Sequence, residues 1–215
     1  MSEFMRVLVL PLGTMRVNCL IVYDEDTRTG AVVDPGGEEC HNKILSRCEA
    51  DGIKVKYILL THAHFDHMLS LEALREATGA PLALHAHDAD SILDPNLTYM
   101  AQFAGIHVGC KPAEILLTDG DTLELGNTAL TVMHTPGHTM GSVCYKADGI
   151  ILTGDTLFSG GIGRCDLYGG DEMTIKDSLK RLSDLEGDYK LFPGHGSTTT
   201  LSRERATNVY IKHLT

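Results

Sequence analysis

Four metal-ligand side chains fall within six residues at His62-Ala63-His64-Phe65-Asp66-His67, directly after an apolar run, Val55 to Leu60, that reads as a buried strand. In an extended backbone, residues i and i+2 point the same way, so His62 and His64 can reach one ion together. Asp66 and His67 follow where the chain turns toward a helix, and they can address a second ion on the other side. Imidazole nitrogen and carboxylate oxygen are donors that zinc and similar ions favour. Such a cluster fits neither an apolar core nor an ordinary surface.

Three further candidates stand at strand-to-loop junctions with turn chemistry. They are His138 in Thr135-Pro136-Gly137-His138-Thr139, Asp155 in Thr153-Gly154-Asp155-Thr156, and His195 in Phe192-Pro193-Gly194-His195-Gly196. Small residues beside each let backbone and ion approach closely. Together with the first cluster they supply seven ligands, enough for two ions with open positions.

The rest of the chain alternates short strands and helices. Strands are expected at Arg6–Leu10, Cys19–Tyr23, Ala31–Val33 and Val55–Leu60, with a helix over Glu38–Ala50 and a second from Leu69 to Ala77. Pro81–Leu84 reads as another strand, and residues 88–114, with Tyr99, Met100 and Phe103, as a long excursion of the kind that tends to carry function. Strands return over Thr128–Met133, Ser142–Tyr145 and Ile150–Thr153. A Gly-rich loop then covers Ser159–Gly170, followed by a helix over Met173–Leu185, a strand over Tyr189–Phe192 and a last helix from Leu201. Strands, helix and strand in each half predict two stacked sheets with helices outside, a four-layer αββα sandwich of the α/β class. No repeat or linker divides the chain, so residues 1–215 are expected to form one domain.

The motif series HxHxDH, TPGHT, GD and PGHG, in this order and spacing, resembles the metallo-β-lactamase superfamily from about Leu10 to Asn208. The resemblance implies the same αββα sandwich. It also implies that His62, His64 and His138 hold one metal, that Asp66, His67 and His195 hold the other, and that Asp155 bridges them. Asp34, in Val33-Asp34-Pro35-Gly36, matches the family's Asp that orients a ligand histidine. Two divalent ions follow as cofactors, zinc first, with iron or manganese as alternatives. A hydroxide held between ions about 3.5–4 Å apart would be the nucleophile. Asp66 is the candidate catalytic residue that orients or accepts a proton.

Within that superfamily, β-lactamases carry Cys or Ser where this chain has Asp155, and they are exported, which disfavours antibiotic hydrolysis. The closest resemblance is to the glyoxalase II-like group, which hydrolyses S-lactoylglutathione, and it extends to Phe158–Asp166 and Gly169-Gly170-Asp171. Arg164 falls where that family contacts glutathione, so it is a candidate substrate-binding residue; an ion pair with Asp166 or Asp171 is the competing role. The family's full-length enzymes draw most glutathione contacts from a C-terminal helical domain, and here the sequence ends 20 residues beyond His195. The expected function is a thioesterase acting on a small-molecule thioester or ester. The alternatives are a persulfide dioxygenase with one iron, or a lactone or phosphodiester hydrolase.

A formal charge of −11, from 18 basic and 29 acidic residues, argues against a nucleic-acid substrate, which needs a basic footprint. The early apolar run Met5–Leu12 is too short for a signal core, and nothing approaches a membrane span. Six cysteines without CxxC or disulfide-framework spacing are expected to be reduced, in a cytoplasmic protein. Cys40 and Cys48 read as core or surface thiols. His85 and His87 mimic His-x-His without a following Asp-His pair, and His134 is expected to pack beneath the site; none is a predicted ligand.

Overall fold

A computed structural model describes residues 5–94, 97, 110–212 and 214. The first sheet has six strands in sequence order: β1 (Met5–Leu12), β2 (Val17–Asp24), β3 (Thr29–Val33), β4 (Lys54–Leu59), β5 (Leu82–His85) and β6 (Ile115–Leu117). The pairs β1–β2 and β2–β3 are antiparallel, and β3 through β6 run parallel. Helices α1 (His41–Ala50) and α2 (Leu71–Thr78) make the crossovers that parallel pairing requires. The second sheet takes the order β14-β13-β10-β9-β8-β7, built from β7 (Thr122–Leu125), β8 (Thr128–His134), β9 (Val143–Ala147), β10 (Ile150–Gly154), β13 (Lys190–Pro193) and β14 (Thr199–Thr200). Helices α3 (Glu172–Ser183) and α4 (Leu201–Thr207) belong to this half.

Strand alternation sorts the side chains into three apolar layers. On β2, Cys19, Ile21 and Tyr23 pack with Ile44 of α1 and Leu71 and Leu74 of α2, while Leu20 and Val22 face Leu130, Val132 and Tyr145 of the other sheet. Cys144 of β9 points the opposite way, onto Ile175, Leu179 and Leu182 of α3 and Leu201 of α4. Helix, sheet, sheet, helix is the predicted sandwich. Burying one of these Leu or Ile side chains contributes about 1.5–3 kcal/mol, so the inter-sheet layer is a principal stabiliser.

Strand Ile150–Gly154 and helix Glu172–Ser183 differ from expectation only at their ends. The first helix starts at His41 rather than Glu38, because Glu39 has a left-handed φ of 53° and cannot belong to a right-handed helix. The Gly-rich stretch is not wholly loop, since β11 (Leu157–Phe158) and β12 (Gly161–Ile162) form a small hairpin. A 3-10 turn, Ala86–Asp88, leads into the predicted excursion over residues 88–114, of which Ile92 packs into the first core. Tyr99, Met100 and Phe103 lie outside the described residues. All six cysteines are free thiols; Cys40 and Cys48 are both buried at the ends of α1. Among the described residues no helix is long and apolar enough to cross a membrane.

Candidate metal centre

The seven predicted ligand residues come together at one end of the sandwich, each at or just beyond a strand terminus. Strand β4 ends at Leu59, and His62 and His64 follow in extended chain before a 3-10 turn, Phe65–His67, that reverses direction for Asp66 and His67. His138 follows β8, Asp155 follows β10 and His195 follows β13.

The Pro-Gly turns serve close approach. Gly194 lies against the Asp155 carboxylate, and a Cβ there would also fall 2.7 Å from His67 Cε1. Gly137 has φ +127° and abuts the backbone of Ile175, so no larger residue fits the turn that presents His138.

The hydrogen bonds fix which imidazole nitrogen is free. Thr61 Oγ1 donates to Asp34 Oδ2 (2.7 Å), so it accepts from His62 Nδ1 (3.0 Å). His138 Nδ1 donates to the Arg164 carbonyl (2.7 Å), and His67 Nδ1 donates to Asp34 Oδ2 (3.0 Å). In His62 and His138 this leaves Nε2 as a bare lone pair, the arrangement expected of metal-ligating histidines, while His67 Nε2 lies 3.3 Å from His195 Nε2. Among the described residues, His62 Nε2, His138 Nε2 and Asp155 Oδ1 are buried without a hydrogen-bond partner. Buried polar atoms are normally satisfied, so these three fit a cation.

The donors group as His62 with His64 and His138, and as Asp66 with His67 and His195. Asp155 reaches both groups: His138 Nε2 at 3.7 Å, His67 Nε2 at 3.5 Å and His195 Nε2 at 3.6 Å. Asp66 Oδ2 lies 3.2 Å from His195 Nε2.

Electrostatics divide the two groups. Burial and the facing His138 hold His64 down to about 3, and burial pushes His62 well below the usual imidazole range, so both are neutral at pH 7. Burial also opposes charge on His67, but Asp155, Asp66 and Asp34 outweigh it and push His67 up to about 10. Without an ion, a proton on His67 balances these carboxylates; Asp66 is held well below the usual carboxylate range, burial being outweighed by His67 and His195.

Asp34 takes the predicted orienting position. Its Oδ1 also accepts from the Thr61 amide (2.7 Å), and its left-handed φ of 52° is strain at a functional position. Arg164 lies at the rim with its guanidinium paired through two 2.7 Å bonds to Asp166, whereas Asp171 caps α3 through Thr174 N. The cleft above the ligands, about 150 Å³, is lined by apolar Met15, Phe65, Leu97 and Leu167 together with Tyr168 and Arg164.

Sequence reasoning missed two residues. Buried Asp88 accepts from Ala63 N (2.9 Å), Thr139 Oγ1 (2.8 Å) and Gly141 N (2.7 Å), tying the His62–His67 loop to the His138 loop. Asn18 donates to the carbonyls of Pro193 and Gly196 (both 2.9 Å) and clamps the His195 turn. A single Asp or Asn carries no periodic signal; only a buried polar position on a strand, as at Asn18, would have flagged one of them. His134 does not pack beneath the site as expected: it stacks on His85, with ring centroids 3.9 Å apart.

The model of the metallo-β-lactamase superfamily matches residues 12–195, nearly the whole chain and every motif above. The chain belongs to the metallo-β-lactamase superfamily. Among superfamily relatives, a probable metallo-hydrolase (YqgX) of Bacillus subtilis is 35% identical over 94% of this chain and 95% of its own. The hydroxyacylglutathione hydrolase GloC of Haemophilus influenzae is 31% identical over 96% of this chain and 98% of its own. Among solved structures, the BLEG-1 B3 metallo-β-lactamase superposes with TM-score 0.88 at 32% identity, covering 97% of this chain and 99% of that one. TTHA1623 in a di-iron-bound form gives 0.83 at 34%, covering 95% and 100%. ETHE1 from Myxococcus xanthus gives 0.78 at 25%, covering 98% and 89%. The fold is that of metal-dependent hydrolases binding divalent ions, and the di-iron relative leaves the choice of metal open.

Proposed function

We propose that this chain is a dinuclear metallohydrolase that cleaves a small thioester of the hydroxyacylglutathione type. The observation that carries this reading is the gathering of two donor groups around Asp155, with the Nε2 atoms of His62 and His138 buried and unpartnered. His62, His64 and His138 would hold one ion, Asp66, His67 and His195 the other, and Asp155 both. Bound there, divalent ions supply a water-derived nucleophile at neutral pH and polarise a carbonyl.

The chain's own groups do the positioning. Asp34, through Thr61 and His67, fixes two rings, and the Arg164 carbonyl fixes a third. Asp66 is ionised and beside His195, so it can accept or orient a proton at the reacting water. Met15, Phe65, Leu97 and Leu167 form an apolar wall that suits an acyl group and excludes bulk water. Arg164 at the rim is the cation placed to meet a substrate carboxylate, with Asp166 as its resting partner.

Likeness to the Haemophilus enzyme along 98% of that enzyme's length supports glutathione thioesters in a chain of this size. Zinc, iron and manganese all suit the donor set. Two other readings rest on specific likenesses: β-lactam hydrolysis on the B3 enzyme, and persulfide oxidation at a single iron on ETHE1. Lactone and phosphodiester hydrolysis require the same centre.

A single panel separates them: S-lactoylglutathione, other thioesters, a lactone, a phosphodiester and a β-lactam, plus glutathione persulfide under an oxygen electrode. Metal content is measured on the same sample. Thioester cleavage is expected to be fastest, with no oxygen uptake. Failure to cleave any thioester, alongside turnover of another substrate that requires Asp155, overturns the proposal.

A further inference from the structure

A second group of histidines stands apart from the centre just described. His85 ends β5, His87 lies in the 3-10 turn that follows, and His134 ends β8 on the other sheet. The ends of the two sheets meet there. His134 stacks on His85, and His87 sits edge-on to both, with ring centroids at 4.9 Å from His85 and 5.5 Å from His134. One nitrogen from each ring lies within 4.8 Å of the others. His85 is buried, His134 half-buried and His87 exposed, so the group opens to solvent on one side.

The hydrogen bonds prepare one of the rings for a metal. His134 Nε2 donates to the Met140 carbonyl (2.9 Å), which leaves Nδ1 as the bare lone pair. That is the carbonyl-backed arrangement of a ligating imidazole. Among the described residues the exposed His87 ring makes no hydrogen bond and touches only the other two imidazoles edge-on. Among the described residues, the one hydrogen bond to the His85 ring comes from the His87 amide, at a long 3.3 Å, which a small tilt of the ring releases. Burial and the neighbouring His134 and His87 hold His85 down to about 4, so it is neutral at pH 7, the form that coordinates.

We propose that His85, His87 and His134 form a peripheral site for a divalent transition-metal ion of the zinc, nickel or copper class, separate from the catalytic centre. Three imidazoles and one solvent molecule complete a tetrahedral set for zinc at nitrogen distances of about 2.0–2.1 Å. The rings must close in by roughly 1 Å, and the two stacked planes must open, for three nitrogens to meet at that distance. No carboxylate belongs to the triad, which disfavours magnesium and calcium. An ion there ties the end of β5 to the end of β8. From those two ends run the segments carrying Asp88 and His138, so occupancy rigidifies the frame of the centre without touching its ligands.

The test uses untagged full-length protein, stripped of metal and titrated with Zn²⁺ alone, comparing wild type with His87→Ala. His87 is exposed and, among the described residues, its ring makes no hydrogen bond, so the variant keeps the fold. Bound zinc is counted after gel filtration, and the thermal midpoint is followed at each addition. The site predicts one equivalent fewer in His87→Ala than in wild type, and loss of the last zinc-dependent rise in midpoint. It also predicts at least about tenfold weaker binding of that equivalent, since loss of a ligand costs no less than loss of a ligand's hydrogen-bond partner. His134→Ala, a second variant, should lose the same equivalent. Equal stoichiometry in wild type and His87→Ala, at whatever total, overturns the proposal. Because only the difference is read, the outcome does not depend on how many ions the central site holds or on what it hydrolyses.

Discussion

The two histidine groups are built from the same side chain and differ in what surrounds it. In the centre, His62, His67 and His138 each have Nδ1 engaged by a threonine, a carboxylate or a carbonyl, and Asp66 and Asp155 stand among the free nitrogens. At the sheet ends, His85, His87 and His134 have one carbonyl-backed ring and no carboxylate within the triad. Carboxylates let a site hold two cations close together and can accept a proton, whereas the three imidazoles at the sheet ends offer ligands for a single ion. Sequence-level counting of histidines cannot separate these cases, but the partner of each ring nitrogen does.

The sharpest way to break this contrast is to remove the shared carboxylate. Asp155→Ala should reduce hydrolysis to background and lower the metal content of the centre, whereas His87→Ala should leave turnover within about twofold of wild type. Residual turnover near the wild-type rate in Asp155→Ala would assign the chemistry elsewhere.

The next largest effect belongs to the tie between the ligand loops. Asp88→Ala strands the buried amides of Ala63 and Gly141 and should destabilise the fold by about 3 kcal/mol, read as a lower urea midpoint at unchanged slope. Asp88→Asn keeps an acceptor and should recover part of that loss.

Asp34 acts through the rings it holds. Asp34→Asn keeps the size but weakens the bonds to Thr61 and His67, and about 10–100-fold should be lost in metal affinity, measured by competition with a chromogenic chelator. The same chelator titration should find the peripheral equivalent unchanged.

The smallest effect is on pH dependence. In metal-free protein, His67 is raised from 6.5 to about 10, so its charged form contributes stability that is fully present below pH 6.5 and lost as pH rises through about 10. His64, lowered to about 3, has the opposite sign: its contribution is lost as pH falls from 6.5 toward 3. The urea midpoint of chelator-treated protein should therefore drop on the alkaline side, and the metal-loaded protein should show a flatter profile there. A chelator effect that is the same at pH 6.5 and near pH 9.5 would contradict the assigned charge balance.

Much of the centre was legible because its signals are local. Four donors within six residues after a strand, and three more each beside glycine or a Pro-Gly turn, survive translation into coordinates as neighbours. The sandwich was legible because two-residue alternation on β2 and β9 sorts side chains to opposite faces. Hairpin β11–β12 was not, since strands of two residues are too short to show alternation. Asp88 was not, because its partners lie 25 and 53 residues away and only the folded chain joins them. The approach of His134 to His85 depends on how one sheet's end meets the other's, a tertiary fact with no counterpart in local pattern.

Stepwise reloading of metal-free His87→Ala protein with Zn²⁺ or, in parallel, Fe²⁺, with S-lactoylglutathione hydrolysis and oxygen uptake on glutathione persulfide followed at each addition, tests the central claim most directly. A two-ion hydrolase predicts that thioester cleavage emerges with the second equivalent and that no oxygen is consumed. Full activity with one equivalent of iron, consuming oxygen on a persulfide and leaving the thioester intact, would contradict it.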